Sequence, residues 1–182
     1  MVTFDRTLPT LADDEIRLVP LSPAHELQVT ALVDDEESRR YTRIPTEPPA
    51  DFVPTWLRSY DEGRADGTRL GFAIESHERE FLGLGLFVRI EREGRQGEIG
   101  YLVAPAARGR GVATRSVALL TDWGFSELGL ERIELWIDTA NAASERVADR
   151  AGYLREGVLR SVWFKEGLRA DFGVWSRLRG DA

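Results

Sequence analysis

Residues 97–114 constrain this chain more than any other stretch: Gly97-Glu98-Ile99-Gly100-Tyr101-Leu102-Val103-Ala104-Pro105-Ala106-Ala107-Arg108-Gly109-Arg110-Gly111-Val112-Ala113-Thr114. The pattern predicts strand, turn and helix in succession. Apolar and β-prone residues dominate from Glu98 to Val103, Pro105 lacks the N–H that a ladder needs, and helical periodicity begins at Val112. Arg108, Gly109, Arg110 and Gly111 place two residues without side chains and two cations at a helix N-terminus. Unpaired backbone N–H groups and the helix dipole favour an anion there, and a phosphate or pyrophosphate is the natural guest.

Two nucleotide-binding readings compete for this turn. A P-loop needs Gly-Lys-Ser/Thr after the turn, and the only lysine is the distant Lys165. A dinucleotide fingerprint does better, with Gly109 and Gly111 as its first two glycines and Asp138, closing a later strand, as its ribose-binding acid. It needs a third glycine where Thr114 stands, however, and only 44 residues follow Asp138, too few for the remaining βα units.

Length and composition set further bounds. A chain of 182 residues, 42% hydrophobic, is expected to form a single domain with a substantial core. No apolar run approaches a membrane span, and the first ten residues lack the basic start and apolar run of a signal peptide, so a cytoplasmic location is expected. The absence of cysteine excludes disulfides, thiolate metal ligands and a cysteinyl acyl-enzyme. His25 and His77 are too few and too far apart for a metal cluster and read as surface residues, so no metal is expected. The net charge of −7 lies wholly in residues 1–66, which hold 14 Asp/Glu against 7 Arg, while the remainder holds 17 of each sign. An acidic chain argues against nucleic acid. The run Asp34-Asp35-Glu36-Glu37 reads as a solvated face or as an attractor for a cationic acceptor.

Pattern also orders the elements. A strand is expected over Asp14–Leu21, a helix over Pro23–Asp34 with Ser22 as its N-cap, a Pro-broken loop over Ile44–Pro49 and a second helix over Ala50–Asp66. Strands over Arg69–Ser76 and Phe81–Glu91 then lead through Glu93-Gly94-Arg95-Gln96 into the strand before the glycine turn, an antiparallel meander. Ala113, Val117, Leu120, Gly124 and Leu128 form a helical stripe over Val112–Leu128. A strand over Arg132–Asp138, a short helix over Asn141–Ala151 and a hairpin of Tyr153–Phe164 with Ala170–Leu178 complete the chain.

The turn Arg108-Gly109-Arg110-Gly111-Val112-Ala113 resembles the acyl-CoA-binding motif Gln/Arg-x-x-Gly-x-Gly/Ala of the GNAT N-acetyltransferases. The likeness continues in Glu98-Ile99-Gly100-Tyr101, in Asn141-Ala142-Ala143-Ser144, in Val147-Ala148-Asp149-Arg150-Ala151-Gly152-Tyr153 and in the opening Ile16-Arg17-Leu18-Val19-Pro20-Leu21-Ser22-Pro23-Ala24-His25. Together these are similar to the branch containing RimJ and RimL, ribosomal-protein N-terminal acetyltransferases. The resemblance implies a mixed α/β (α+β) fold: a mostly antiparallel twisted sheet of about seven strands flanked by about four helices, splayed after the motif strand to leave a slot for pantetheine. It implies transfer of an acetyl group from acetyl-CoA to a primary amine, on a protein N-terminus or a small molecule, by direct attack in a ternary complex. A non-catalytic acyl-CoA-binding module and an acyltransferase using a longer acyl-CoA are the alternatives. A homodimer is compatible with the resemblance, though no residue demonstrates it.

By that resemblance Arg108, Gly109, Arg110, Gly111, Val112, Ala113 and Thr114 hold the CoA pyrophosphate through N–H groups of the turn and the Thr114 hydroxyl, Asn141 bonds the pantetheine arm and Ser144 lies by the thioester sulfur. Asn141 also suits a helix cap. An alkyl ammonium, with a pKa of about 10, must lose a proton before it attacks, so a base or a water chain is needed. An oxyanion donor is worth about 3–4 kcal/mol in other acyl-transfer enzymes; the family supplies a backbone N–H, here at Leu102 or Val103. Ser144 is the candidate proton donor to the leaving sulfur. Glu98 stands where the histone-acetylating branch carries its base, and strand parity puts Glu98, Gly100 and Leu102 on one face. In RimL the base is thought to come from the strand after the short helix, where this chain has Trp163. Glu36, Glu37 or solvent are the other proton acceptors considered. Trp163, Phe164, Trp175 and Trp56 are either core or an apolar wall for the acceptor.

Overall fold

The computed structural model describes residues 8–181. Its strands are β1 (Leu11–Ala12), β2 (Ile16–Pro20), β3 (Leu70–Ser76), β4 (Phe81–Glu91), β5 (Gln96–Val103), β6 (Arg132–Asp138), β7 (Leu154–Lys165) and β8 (Leu168–Leu178). The helices are α1 (Glu26–Asp34), α2 (Glu36–Arg40), α3 (Phe52–Asp66), α4 (Val112–Ser126) and α5 (Ala142–Arg150), with 3-10 turns at Pro23–His25 and Pro105–Ala107. All eight strands form one sheet in the order β1-β2-β3-β4-β5-β6-β8-β7, antiparallel except where β5 meets β6.

The α/β class and the meander are as expected from the sequence, with one more strand and one more helix. The two-residue β1 is too short to show a period, and α2 is a single charged turn with no apolar stripe. The helix expected to open at Pro23 begins as a 3-10 turn, in which the Ser22 N–H donates to His25 Nδ1 at 3.2 Å. His25 is therefore a half-buried structural residue, with Nε2 3.9 Å from Glu75, and His77 Nε2 lies 3.0 Å from the Asp13 carbonyl.

The sheet separates two cores. On one face α4 and α5 cover Leu18, Phe72, Phe87, Ile133 and Leu135; on the other α1 and α3 cover Leu84 and Leu86. Each fully buried Leu or Phe contributes about 1.5–3 kcal/mol. The α4 stripe does what its spacing predicts, with Val117 and Leu120 fully buried. Gly124 lets the helix lie close, since a Cβ there would stand 2.8 Å from Ile133 Cδ1. Leu128 falls beyond the helix end.

Two features of the sheet create a site. A bulge in β4 between Phe87 and Arg89 brings Arg89 opposite Glu98. The parallel pairing of β5 with β6 covers only Gln96, Gly97 and Glu98, opposite Arg132, Ile133 and Glu134. Beyond Glu98, β5 continues with β4 up to the Val103–Gly83 pair, and β6 continues with β8 up to the Asp138–Phe172 pair. The two halves of the sheet part there.

Candidate active site

The chain leaves the parted end of β5 through Pro105–Ala107 and reaches α4 through the glycine turn. Gly109 and Gly111 adopt φ 75° and φ 79°, a region that residues with side chains seldom occupy. A Cβ at either would meet nothing within 4 Å. Their freedom serves the turn, and the space beside it is open. Gly111 caps α4 without a side chain, whereas Asp35 accepts the Ser38 N–H at 2.8 Å on α2 and Asn141 accepts the Ser144 N–H at 3.0 Å on α5. The first-turn N–H groups of Val112, Ala113 and Thr114 thus keep their donor capacity for a ligand. Arg110 is exposed beside them and, among the described residues, has no hydrogen bond or ion pair. The turn fits a pyrophosphate.

Arg108 departs from the expectation. Its guanidinium bonds Asp35, Glu37 at 2.8 Å, the Ser38 hydroxyl at 3.5 Å and the Val103 carbonyl at 3.2 Å. This cation fastens the glycine turn to α1 and α2 and is not free for a phosphate. The same contacts account for two of the four acids of the run, Asp35 and Glu37. Burial pushes the Asp35 carboxyl up, but the Arg108 guanidinium and the Ser38 N–H and hydroxyl outweigh it and hold it below the usual range. Asp35 and Glu37 both pair with Arg108.

The gap between β5 and β6 exposes backbone. The Ala104 N–H bonds the Leu82 carbonyl on β4 at 2.8 Å, and alternation turns the Leu102 N–H the same way. The N–H groups of Tyr101 and Val103 then face the gap. Of the two oxyanion donors expected, Val103 is available and Leu102 is committed to the sheet; the Leu102 side chain packs on the α1–α3 core.

Glu98 stands where the strands part, on the α1–α3 face. Arg89 reaches Glu98 at 3.4 Å and Glu134 at 3.4 Å. Glu134, which sequence reasoning missed, is buried and also accepts from Arg132 at 2.8 Å and from Trp136 Nε1 at 2.9 Å. Strand alternation in β6 was its only signal: Ile133, Leu135 and Ile137 enter one core, so Glu134 and Trp136 share the Glu98 face. Burial raises the Glu98 carboxyl above the usual range against the opposing Arg89 charge, and the Glu134 charge adds to the rise.

Across the gap, Ser144 occupies the first turn of α5 and Asn141 caps that helix, so the expected structural role of Asn141 is real. Tyr101 was also missed. Its hydroxyl is buried without a hydrogen-bond partner among the described residues. Burial pushes the phenol up to about 12, and the nearby Ser144 side chain moderates the rise.

The four aromatics suggested as an acceptor wall are dispersed. Trp175 belongs to the α4–α5 core, Trp56 packs on Tyr60 at 4.7 Å in α3, and Phe164 is exposed under Arg169. Trp163 is linked to Glu98 through Arg43, whose charge acts on that carboxylate. It stacks on Phe172 at 4.6 Å and 17°, and Arg43 lies over its ring at 4.1 Å.

Residues 15–154 match the acetyltransferase (GNAT) domain. The chain belongs to the GNAT acetyltransferases. It is an acyl-CoA-dependent N-acetyltransferase that moves an acetyl group from acetyl-CoA to an amine. It is 30% identical over 173 residues to the uncharacterized N-acetyltransferase YoaA of Bacillus subtilis, spanning 92% of this chain and 96% of that one. Its fold is similar to that of RimL, the ribosomal L7/L12 α-N-protein acetyltransferase, in complex with coenzyme A, with TM-score 0.85, 18% identity and coverage of 93% and 98%. It is also similar to the spermidine N-acetyltransferase of Vibrio cholerae in complex with CoA and spermine, with TM-score 0.81, 21% identity and coverage of 93% and 98%. Among the described residues of this acetyltransferase, no helix is long and apolar enough to cross a membrane.

Proposed function

We propose that residues 1–182 form one catalytic domain of the RimJ/RimL-like branch, acting in the cytoplasm on a primary amine of a protein N-terminus or a small molecule. The observation that carries this reading is the parting of β5 from β6 after Glu98, which leaves unpaired backbone between a carboxylate on one side and Ser144 on the other. The N–H groups of Gly109, Arg110, Gly111, Val112, Ala113 and Thr114, with the Arg110 side chain, hold the pyrophosphate. Asn141 meets the pantetheine arm while it caps α5.

In the ternary complex Glu98 takes the proton of the ammonium through a water, and its raised pKa brings it closer to the pH at which it must accept. The freed amine attacks the thioester carbonyl directly. The Val103 N–H holds the oxyanion, and the nitrogen, cationic after attack, gives its second proton to water; as the oxyanion collapses and the C–S bond breaks, the sulfur takes a proton from Ser144, which regains one from water.

Thiol release with acetyl-CoA and a panel of primary amines tests the reading. The cysteine-free chain gives no background thiol. Acetylation of a primary amine, faster with acetyl-CoA than with longer acyl-CoAs, is the expected result. Mass spectrometry of protein N-termini separates protein from small-molecule acceptors. Turnover restricted to longer acyl-CoAs, or absent despite bound acetyl-CoA, contradicts it.

A further inference from the structure

Arg43 lies on the loop between α2 and α3, which covers the Glu98 face of the sheet. The β7–β8 turn holds that loop: Glu166 accepts the Thr46 N–H at 2.8 Å and also the Thr46 hydroxyl, and Lys165 Nζ donates to the Arg39 carbonyl at 2.5 Å. The clamp sets the Arg43 guanidinium over Trp163, 4.1 Å from the ring centroid. Stacking uses the face of a guanidinium and leaves its N–H edge free. No hydrogen bond or ion pair engages that edge among the described residues, although Arg43 is near enough for its charge to act on Glu98.

The sheet carboxylates beside Glu98 are already compensated. Glu134 accepts from Arg132, Arg89 and Trp136; Glu98 accepts from Arg89; Glu156 accepts from Arg132 and Ser176. At the parted strands the group left uncompensated is a cation, Arg43, held on Trp163.

We infer that the acceptor carries a carboxylate close to its reacting amine and that Arg43, held on Trp163, reads it. This rests on the acyltransferase reading above and narrows it to amino-acid-like acceptors, whether a free acidic amino acid or an acidic protein N-terminus. A planar carboxylate suits the two-pronged N–H edge of arginine.

The test compares kcat/KM, by thiol release, for glutamate, for peptides with a free N-terminus and glutamate at position 2 or 3, for the matching glutamine peptides, and for spermidine. A glutamate peptide should exceed its glutamine counterpart by about 10-fold or more, since a bond between charged groups is worth at least that. Spermidine should be poorest. Activity with free glutamate points to a small-molecule source, and activity confined to peptides points to protein N-termini. In Arg43→Gln the glutamate-to-glutamine ratio should fall toward one, chiefly through KM, and Arg43→Lys should fall between. A preference for spermidine, or an unchanged ratio in Arg43→Gln, overturns the inference. If no acceptor turns over, the same ratio is read from peptide dissociation constants with CoA bound. Failure of acetyl-CoA to bind at all removes the proposed function itself and is a separate outcome.

Discussion

Glu98 and Glu134 face one another at the last paired position of β5 and β6, and the Arg89 guanidinium reaches both carboxylates at 3.4 Å. The two are unequal. Glu134 also takes donors from Arg132 and Trp136, while among the described residues Glu98 accepts a side-chain hydrogen bond from Arg89 alone and is raised by burial. Glu98 is the proton acceptor proposed at the mouth of the gap. The kcat/KM of the wild type should rise with pH through an inflection above the ordinary carboxylate range. Glu98→Gln should lose that inflection and fall about 10²- to 10⁴-fold in kcat. An unchanged pH profile in Glu98→Gln refutes the assignment.

The same shift fixes a stability effect. A carboxyl raised in the folded state favours folding at low pH, and that contribution is lost as pH rises from its unfolded value through the raised one. Glu98→Gln cannot ionise. It should melt no lower than the wild type at pH 7.5, and any advantage should vanish below the unfolded pKa, near 4.5.

Arg108 and Arg110 flank one glycine but should fail differently. Arg108→Leu strands Asp35 and Glu37 and should cost about 1–3 kcal/mol at neutral pH. Asp35 is depressed in the folded state, so its contribution is present above the unfolded pKa and lost as pH falls through the folded one. The melting gap between Arg108→Leu and the wild type should narrow in acid. Arg110→Ala should leave melting unchanged and weaken acetyl-CoA about tenfold. Reversed phenotypes contradict the contacts described.

Tyr101→Phe removes a buried hydroxyl that has no partner among the described residues. Calorimetric unfolding of the ligand-free enzyme should show equal or higher stability, by about 1 kcal/mol, since an unsatisfied buried polar group is costly. A clear loss of stability would mean the phenol is hydrogen-bonded in solution.

Much of this was legible in the sequence because local chemistry determined it. The motif strand, the glycines with positive φ, the α4 stripe and the Asn141 cap each follow from residues a few positions apart. The pairing of the Arg108 side chain was not legible because its partners Asp35 and Glu37 lie about seventy residues away, and proximity to a helix N-terminus says nothing about which anion a cation will meet. Glu134 and Arg43 were missed for a related reason. Strand pairing, a β-bulge and the hairpin clamp bring them to Glu98, and none of these has a short-range signature. The aromatic wall failed because β7 and β8 turn neighbouring aromatics to opposite faces, which required a register.

The glycine turn gives the most direct test of the whole account. At φ 79° an Asp or Asn at Gly111 costs about 1–2 kcal/mol, and both tolerate that region better than most residues. The measurement is the melting midpoint with and without acetyl-CoA, with NAD and desulfo-CoA as comparisons, in the wild type, Gly111→Asn and Gly111→Asp. Ligand at about 100 times its dissociation constant contributes about 2.7 kcal/mol, or roughly 5–10 °C for a domain of this size. Acetyl-CoA should raise the wild-type midpoint by that amount, NAD should not, and Gly111→Asp should lose the response more completely than Gly111→Asn because its charge opposes the phosphates. An equal response in Gly111→Asp, or a response to NAD alone, would contradict a CoA pyrophosphate at the head of α4.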